Sequence, residues 1–265
     1  MSNAQPQFYE DPSIYDILHS PSTGEDCEVL EGLFERYVAS NGVKGSWLEP
    51  ACGSGRFLRV LGGRGRRILG FDQNRKMVEY ARRRLRKLGL SSRARVFVAS
   101  MESFAAKVPA ASVALAFNTI NTIRHLESDE AFLAHFSEMA RVLAPGGVYV
   151  VGMSLSAYGE EEPSEDVWEG RRGRCRVHQL VQYLPPEAGG VGSRAEQVLS
   201  HLTIERPTRT EHRDHRYALR CYDKKQWHAL IRKSALRIVE VTSDEGIALR
   251  DFDGSYFLYL LKQRG

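Results

Sequence analysis

The chain has 265 residues, of which 42% are hydrophobic and 26% are charged, and this length favours one α/β domain with an insertion over two independent domains. No segment approaches the ~20 apolar residues of a membrane span, and the N-terminus lacks a secretion-signal pattern, so we expect a soluble, cytoplasmic protein. The four cysteines do not have the spacing of a zinc site, so no metal is expected. The net charge of +4 permits contact with nucleic acid without requiring it.

The first 40 residues precede the first predicted strand. Asp11 to Leu18 predicts a short helical or turn segment that contains Tyr15. Cys27 to Val38 has apolar residues at intervals of three and four, which predicts an amphipathic helix. We therefore interpret residues 1–40 as a helical N-terminal segment.

A glycine loop follows the first predicted strand, Trp47 to Glu49. Gly53 and Gly55 allow a sharp turn and close approach of a ligand to the backbone, and the segment after them has the pattern of a helix. A dinucleotide loop requires Gly or Ala where this chain has Leu58, and Glu49 would repel a diphosphate but accept hydrogen bonds from an ammonium group. S-adenosylmethionine combines adenosine with an ammonium group and has no phosphate.

These residues resemble the first motif of the class I S-adenosylmethionine-dependent methyltransferases, an acidic residue, two variable residues, then Cys or Gly, Gly, any residue and Gly. Glu49, Cys52, Gly53 and Gly55 match it residue by residue. The resemblance implies a Rossmann-like seven-strand sheet with helices on both faces, in which this loop follows the methionine part of the cofactor. It also implies that residues 1–40 form a lid in which Tyr15 closes that end, the alternative being that Tyr15 is a packing anchor.

Asp72 ends the second predicted strand, about 20 residues after the loop, where a carboxylate can bind both ribose hydroxyls. The alternative is that Asp72 is a helix N-cap. Gln73 and Met77 follow it and are assigned to the cofactor site, with Gln73 or Met101 at the adenine. The next helix has an arginine-rich face, which we interpret as solvated, with RNA contact as the alternative.

The third and fourth predicted strands complete the expected cofactor site. The third ends at Ser100, where the family commonly has Asp beside the adenine, and a serine hydroxyl is a weaker acceptor. Met101 and Glu102 follow it. Asn118 ends the fourth strand and starts a polar loop that should face the transferred methyl group, because ligands bind at the carboxyl ends of parallel strands. These residues lie within an expected cofactor-binding core of residues 41–153.

His125 lies in this polar loop and is a candidate catalytic residue. An imidazole titrates near neutral pH, so His125 could accept a proton from the nucleophile. The alternative is a hydrogen-bonded spacer.

Residues 154–220 differ from the core. An acidic, loop-like run, Glu160 to Asp166, precedes a basic run, Arg171 to Arg176, that can neutralise it. Three β segments follow, Val177 to Leu184, Ala195 to Glu205 and Thr208 to Arg220. No helix separates them, so we predict antiparallel pairing. The third has polar residues on both faces, which indicates that some of them line a polar cavity. Small-molecule methyltransferases resemble this arrangement, with an antiparallel β cap inserted after the fifth strand.

Residues 221–265 are expected to return to the core sheet. Asp223 and Gln226 predict a capped helix before two final strands, and Asp253-Gly254 predicts a turn between these strands. Arg220 and Tyr222 resemble an Arg-x-Tyr pattern of capped methyltransferases. The resemblance implies that they contact the acceptor, and a surface ion pair is the alternative.

The sequence thus predicts transfer of a methyl group from S-adenosylmethionine to a nitrogen or oxygen atom of a small-molecule acceptor, by a monomer or homodimer. Methylation of a DNA base is disfavoured, because Asn118 to Asn121 lacks the Pro-Pro-aromatic sequence of enzymes that methylate amino groups of DNA. Two alternatives remain, an RNA or protein methyltransferase and a regulatory module that binds the cofactor without catalysis.

Overall fold

The computed structural model describes residues 7–186, 194–250 and 256–265. The strands are β1 Ser46–Pro50, β2 Ile68–Asp72, β3 Ala94–Val98, β4 Val113–Asn118, β5 Leu143–Ser154, β6 Ser164–Arg172, β7 Cys175–Leu184, β8 Ala195–Arg206, β9 Arg209–Arg220, β10 Leu236–Thr242 and β11 Tyr256–Gln263. The α-helices are α1 Pro12–His19, α2 Thr23–Tyr37, α3 Arg56–Gly63, α4 Arg75–Lys87, α5 Asp129–Val142 and α6 Lys224–Lys233. Short 3-10 helices cover Gln7–Glu10, Ala39–Asn41, Ala105–Lys107 and Thr122–His125.

Seven of these strands form one mixed sheet in the order β10-β11-β5-β4-β1-β2-β3. The strands from β1 to β5 pair in parallel, and β11 is antiparallel to both of its neighbours. The strand order reverses between β1 and β4, and in such sheets ligands bind at this point, outside the carboxyl ends of the strands. The topology therefore brings the ends of β1, β2 and β4 to one crevice.

Helices cover both faces of this sheet. Apolar side chains of α2, α3 and α4 form one buried cluster, and those of α5 and α6 form another. Strand β4 is buried along its whole length, as expected for a strand between two helical layers. Leu58, which occupies the position of a dinucleotide-loop glycine, fits because β2 has Gly70 opposite it; a Cβ there would lie 2.9 Å from the Leu58 side chain.

The cap is a four-stranded antiparallel sheet in the order β6-β7-β8-β9. The predicted seven-strand sheet and the antiparallel cap are both confirmed. The interpretation of Glu160 to Asp166 as a loop was wrong from Ser164 onward, because β6 begins there. The basic run that follows forms the rest of β6 and its hairpin to β7. Strand β6 is an edge strand whose side chains are almost all exposed, so it lacks the alternation of apolar and polar residues that identifies a strand.

The turn predicted at Asp253-Gly254 lies outside the described residues. Among the described helices, none has the length and apolar character needed to cross a membrane.

Candidate functional site

The loop between β1 and α3 lies at the crevice and depends on its two glycines. Gly53 and Gly55 have left-handed φ angles of 51° and 73°. A Cβ on Gly53 would lie 3.3 Å from the Tyr15 ring, and a Cβ on Gly55 would lie 3.1 Å from Ala81 on α4. The first glycine therefore allows the N-terminal segment to approach the loop, and the second allows α3 and α4 to pack closely.

Asp72, at the end of β2, is fixed by two backbone donors. Its carboxylate accepts hydrogen bonds from Gly53 N–H at 2.9 Å and from Asn74 N–H at 2.8 Å. The N-cap of α4 is Asn74, whose side chain accepts from Lys76 N–H and Met77 N–H, so the N-cap role proposed for Asp72 belongs to Asn74. The remaining lone pairs of Asp72 can accept hydrogen bonds from two adjacent hydroxyl groups.

Glu49, at the end of β1, is a buried carboxylate with a free acceptor atom. It is 7% exposed, and Oε2 has no hydrogen-bond partner among the described residues. Burial raises the pKa of Glu49 to about 8, although the nearby Arg56 guanidinium acts in the opposite direction. An ionised carboxylate in such a place requires a cationic partner.

Asn118, at the end of β4, has a second free acceptor in the same pocket. Its Nδ2 donates to Pro50 O at 3.1 Å, and its buried Oδ1 has no partner within the described ranges. Asn118, Glu49, Cys52 and Tyr15 line a pocket of about 20 Å³ beside the glycine loop. Two buried oxygen acceptors, one of them a carboxylate, fit an ammonium group, which has only donors.

The residues predicted at the adenine follow the ends of β2 and β3, beyond this pocket. Gln73 and Glu102 are exposed, and Ser100 and Met101 are partly buried. Met77 is buried on α4. The structure thus brings Tyr15, Glu49, Cys52, Gly53, Gly55, Asp72 and Asn118 together, and the adenine contacts stay a prediction.

A second, larger cavity of about 390 Å³ lies between the core and the cap. It shares Tyr15, Ile120 and Thr122 with the pocket beside Glu49, so the two meet at these residues. Its aromatic walls are Tyr9, Tyr15, Trp168, Tyr183 and Tyr217, and its acidic walls are Glu161, Glu162, Asp166 and Glu196.

The charge in this cavity is predominantly negative. Arg124 also lines the cavity and is 4% exposed. Its guanidinium lies 2.9 Å from Glu196 Oε2, so these two charges neutralise each other. Glu161, Glu162 and Asp166 remain, and they favour a cationic ligand. Among the described residues, no group of three or more His, Cys, Asp and Glu side chains is placed to bind a metal.

His125 lines the larger cavity, and its Nε2 lies 3.1 Å from Tyr9 Oη. Burial, together with the adjacent Arg124, lowers the pKa of His125 to about 4. The imidazole is therefore neutral at pH 7 and a weak base. Its hydrogen bond to Tyr9 agrees with the spacer alternative, and its role as proton acceptor stays a prediction.

Arg220 and Tyr222 converge on Asp129, at the start of α5, instead of on the cavity. Arg220 Nη2 lies 3.1 Å from Asp129 Oδ1, and Tyr222 Oη donates to the same oxygen at 2.8 Å. Tyr222 is fully buried, with its ring against Phe132 and Trp227. This placement agrees with the ion-pair alternative, and contact of Arg220 and Tyr222 with the acceptor stays a prediction.

Several cavity residues were missed from the sequence, including Tyr9, Trp168 and Glu196. Ile120 has a left-handed φ of 52°, which is strained for a β-branched residue and leaves no signal in the sequence. The acidic run near Glu160 was visible, but it was interpreted as a neutralised loop. Of β9, whose polar residues were expected at a cavity, Tyr217 reaches it, whereas Arg213 pairs with Glu211 and Asp11.

The chain is similar to known methyltransferases in sequence and in structure. Residues 48–147 match the family described as Methyltransferase domain, whereas no curated protein matches the chain. An S-adenosylmethionine-dependent methyltransferase from Clostridium acetobutylicum is similar in structure, with 14% identity, a TM-score of 0.73, and coverage of 97% of this chain and 99% of the other.

Two further structures are similar. One is an amino pentose methyltransferase from Micromonospora echinaspora with bound S-adenosylmethionine, at 16% identity and a TM-score of 0.65, covering 98% of this chain and 99% of the other. The second is a sugar N-methyltransferase from Streptoalloteichus, at 17% identity and a TM-score of 0.68, covering 100% and 96%. At these identities the likeness establishes the shared fold.

Proposed function

We propose that this chain, an S-adenosylmethionine-dependent methyltransferase with the class I fold, methylates an amino group of a small acceptor held between core and cap. The main support for an amine acceptor is the acidic cavity, which is adjacent to the pocket beside Glu49 and shares Tyr15, Ile120 and Thr122 with it.

The residues at the carboxyl ends of the strands fit the cofactor. Glu49 would hold its ammonium group together with Asn118, and Asp72 would bind its ribose hydroxyls. The free acceptors on Glu49 and Asn118 support this assignment. The bound cofactor supplies a methyl group that its sulfonium has already activated. The tasks left for this chain are to align the acceptor and to exclude water.

The charge of the large cavity favours an amine over an alcohol. A primary amine is cationic in neutral solution, and Glu161, Glu162 and Asp166 provide three carboxylates that attract it. The amine must lose a proton before its lone pair can attack, and the same carboxylates or water can take this proton. In the tautomer whose Nε2–H donates to Tyr9 Oη, Nδ1 of the neutral His125 can accept a hydrogen bond from the amine and so orient it.

The aromatic walls suit an acceptor with a carbohydrate-like or cyclic body. Tyr15, Trp168, Tyr183 and Tyr217 give flat apolar surfaces with polar edges, which also favour a cationic nitrogen. Two similar structures are described as acting on an amino pentose and on a sugar nitrogen, and this agrees with an amine acceptor here.

The proposal can be tested by comparing amino sugars with the matching hydroxy sugars as acceptors, with transfer of a labelled methyl group as the readout. We expect methylation of the amines alone. Asp166→Asn should raise the KM for the amine about tenfold with little change in cofactor affinity, because it removes a carboxylate from the acceptor wall only. Glu165→Gln, on the same strand outside the cavity, is the matched control.

Methylation of the hydroxy sugars, or an unchanged KM in Asp166→Asn, would contradict an amine acceptor. Salt-sensitive binding of RNA would instead favour the alternative of an RNA methyltransferase.

A further inference from the structure

Helix α1 lies between the cap and the cofactor core, and both of its faces are buried. Ile14, Ile17 and Leu18 pack against β7 and β8 of the cap in a cluster that includes Val177 and Leu202. Strand β6 also approaches α1 closely, since a Cβ on Gly170 would lie 2.2 Å from the backbone oxygen of Ile17. Helix α1 is therefore attached to the cap along one face.

The opposite face of α1 has a fully buried carboxylate, that of Asp16. Its Oδ1 accepts from Ser54 Oγ, in the glycine loop, at 2.7 Å. Its Oδ2 accepts from Tyr80 Oη on α4 at 2.7 Å and from Arg172 Nη2, at the end of β6, at 2.7 Å. Arg59 on α3 also forms an ion pair with it.

Asp16 therefore joins α1 to the cofactor loop, to two core helices and to the cap. Burial alone would raise the pKa of Asp16, but Arg59 and the hydroxyls of Ser54 and Tyr80 outweigh burial and lower the pKa to about 2. The carboxylate is thus ionised at every physiological pH, and its ion pairs persist.

Tyr15, the residue before Asp16, lines the pocket beside Glu49, which has a volume of about 20 Å³. A Cβ on Gly53 would lie 3.3 Å from the Tyr15 ring. Sites for small-molecule ligands have volumes of roughly 300–1,000 Å³, so a cofactor bound beside Glu49 would press against Tyr15, which lines this pocket. Since α1 carries Tyr15 and is packed against the cap, a ligand that presses on Tyr15 would act on α1 and, through it, on the cap.

We propose that Asp16 is a positioning residue that couples the glycine loop to the cap, so that cofactor binding orders the acceptor wall. The link runs from Ser54 through Asp16 to Arg172, at the end of the strand that carries Asp166 and Trp168 of the acceptor cavity. It rests on the cofactor site and not on the amine acceptor, so the two proposals can fail separately.

Hydrogen exchange in the full-length chain, with and without saturating S-adenosylhomocysteine, tests this coupling. In the unmodified protein we expect exchange to slow about fivefold or more both in α1 and in β6. In Arg172→Ala the slowing in α1 should remain, whereas the slowing in β6 should be strongly reduced, because only the packing of α1 against the cap is then left to transmit it. Arg172 is 37% exposed, so the variant should fold.

The matched control is Arg171→Ala, because Arg171 is the exposed neighbour of Arg172 on β6 and its Nε donates to Gly173 O. It should behave like the unmodified protein. Arg172→Lys, which keeps a cation that can reach Asp16, should recover part of the response in β6. Ser54→Ala, which breaks the link at the glycine loop, should reduce the response in β6 as Arg172→Ala does.

Two results would overturn the proposal. One is exchange in β6 of the unmodified protein that does not respond to S-adenosylhomocysteine. The second is an undiminished response of β6 in both Arg172→Ala and Ser54→Ala. Neither result would bear on the acceptor, since no acceptor is present in the experiment.

Discussion

Cofactor binding is expected to release close to one proton at pH 6.5, because Glu49 is protonated until the cofactor arrives. Burial raises the pKa of Glu49 to about 8, so in the free protein most of this carboxyl group is protonated at pH 6.5. The ammonium group of the ligand favours the ionised carboxylate, and binding therefore lowers the pKa of Glu49 and expels its proton.

The sign of the pH dependence follows from the same shift. Because the pKa of Glu49 is higher in the free protein than in the complex, affinity rises with pH up to about pH 8. Well below that pH the affinity should rise about tenfold per pH unit, which corresponds to about 1.4 kcal/mol of binding free energy per pH unit. The rise should end near that pH, because above it Glu49 is already ionised in the free protein.

Isothermal titration calorimetry with S-adenosylhomocysteine at pH 6.5, in buffers of different ionisation enthalpy, measures this proton directly. We expect a release of roughly 0.9 proton per ligand, since the ligand amine is already protonated at this pH. Glu49→Gln, which keeps the shape but cannot ionise, should bind more weakly, release no proton and lose the rise in affinity from pH 6 to 7.

Release of less than about 0.2 proton by the unmodified protein would refute the reasoning, because Glu49 would then already be ionised before binding. Equal proton release by Glu49→Gln would also refute it, since the proton would come from another group.

Three further predictions follow from contacts at or near the site. Asp72→Ala and Gly53→Leu should each lower cofactor affinity in calorimetry by tenfold or more, because one loses the ribose acceptor and the other places a side chain against Tyr15; unchanged affinity in both would remove the assignment. The pH–rate profiles of His125→Ala and the unmodified protein should have the same inflections between pH 6 and 9, since the pKa of His125 is about 4. Tyr222→Phe should lower the free energy of unfolding in urea by about 1 kcal/mol and leave the acceptor KM unchanged; the reverse pattern would support the predicted contact of Tyr222 with the acceptor.

The cofactor side of the site was predictable because its signals are local. Glu49, Gly53 and Gly55 lie within seven consecutive residues, and the turn between a strand and a helix fixes their relative positions whatever surrounds them. Asp72 could be placed with them because neighbouring parallel strands end at the same edge of a sheet. The alternative that Asp72 is the N-cap of α4 was wrong, because the N-cap is Asn74, two residues later.

The acceptor side was harder to predict because it depends on distant partners. Arg220 was expected at the acceptor, yet a guanidinium binds whichever carboxylate the fold brings near, here that of Asp129, 91 residues away in sequence. Strand β6 went unrecognised because it is paired on one side only and needs no apolar face. The acidic residues of the cavity wall were visible in the sequence, but only the pairing of β6 with β7 places Asp166 above the core.

Asp16 shows why the link between the two halves of the site cannot be found in the sequence. An aspartate on a short N-terminal helix is normally exposed, and here burial is possible only because Ser54, Tyr80 and Arg172 arrive from three distant segments. Removal of the carboxylate would leave several buried donors without an acceptor, so a variant of Asp16 would confuse loss of stability with loss of coupling. Arg172 is the half-exposed end of the link, and substitutions there can separate the two effects.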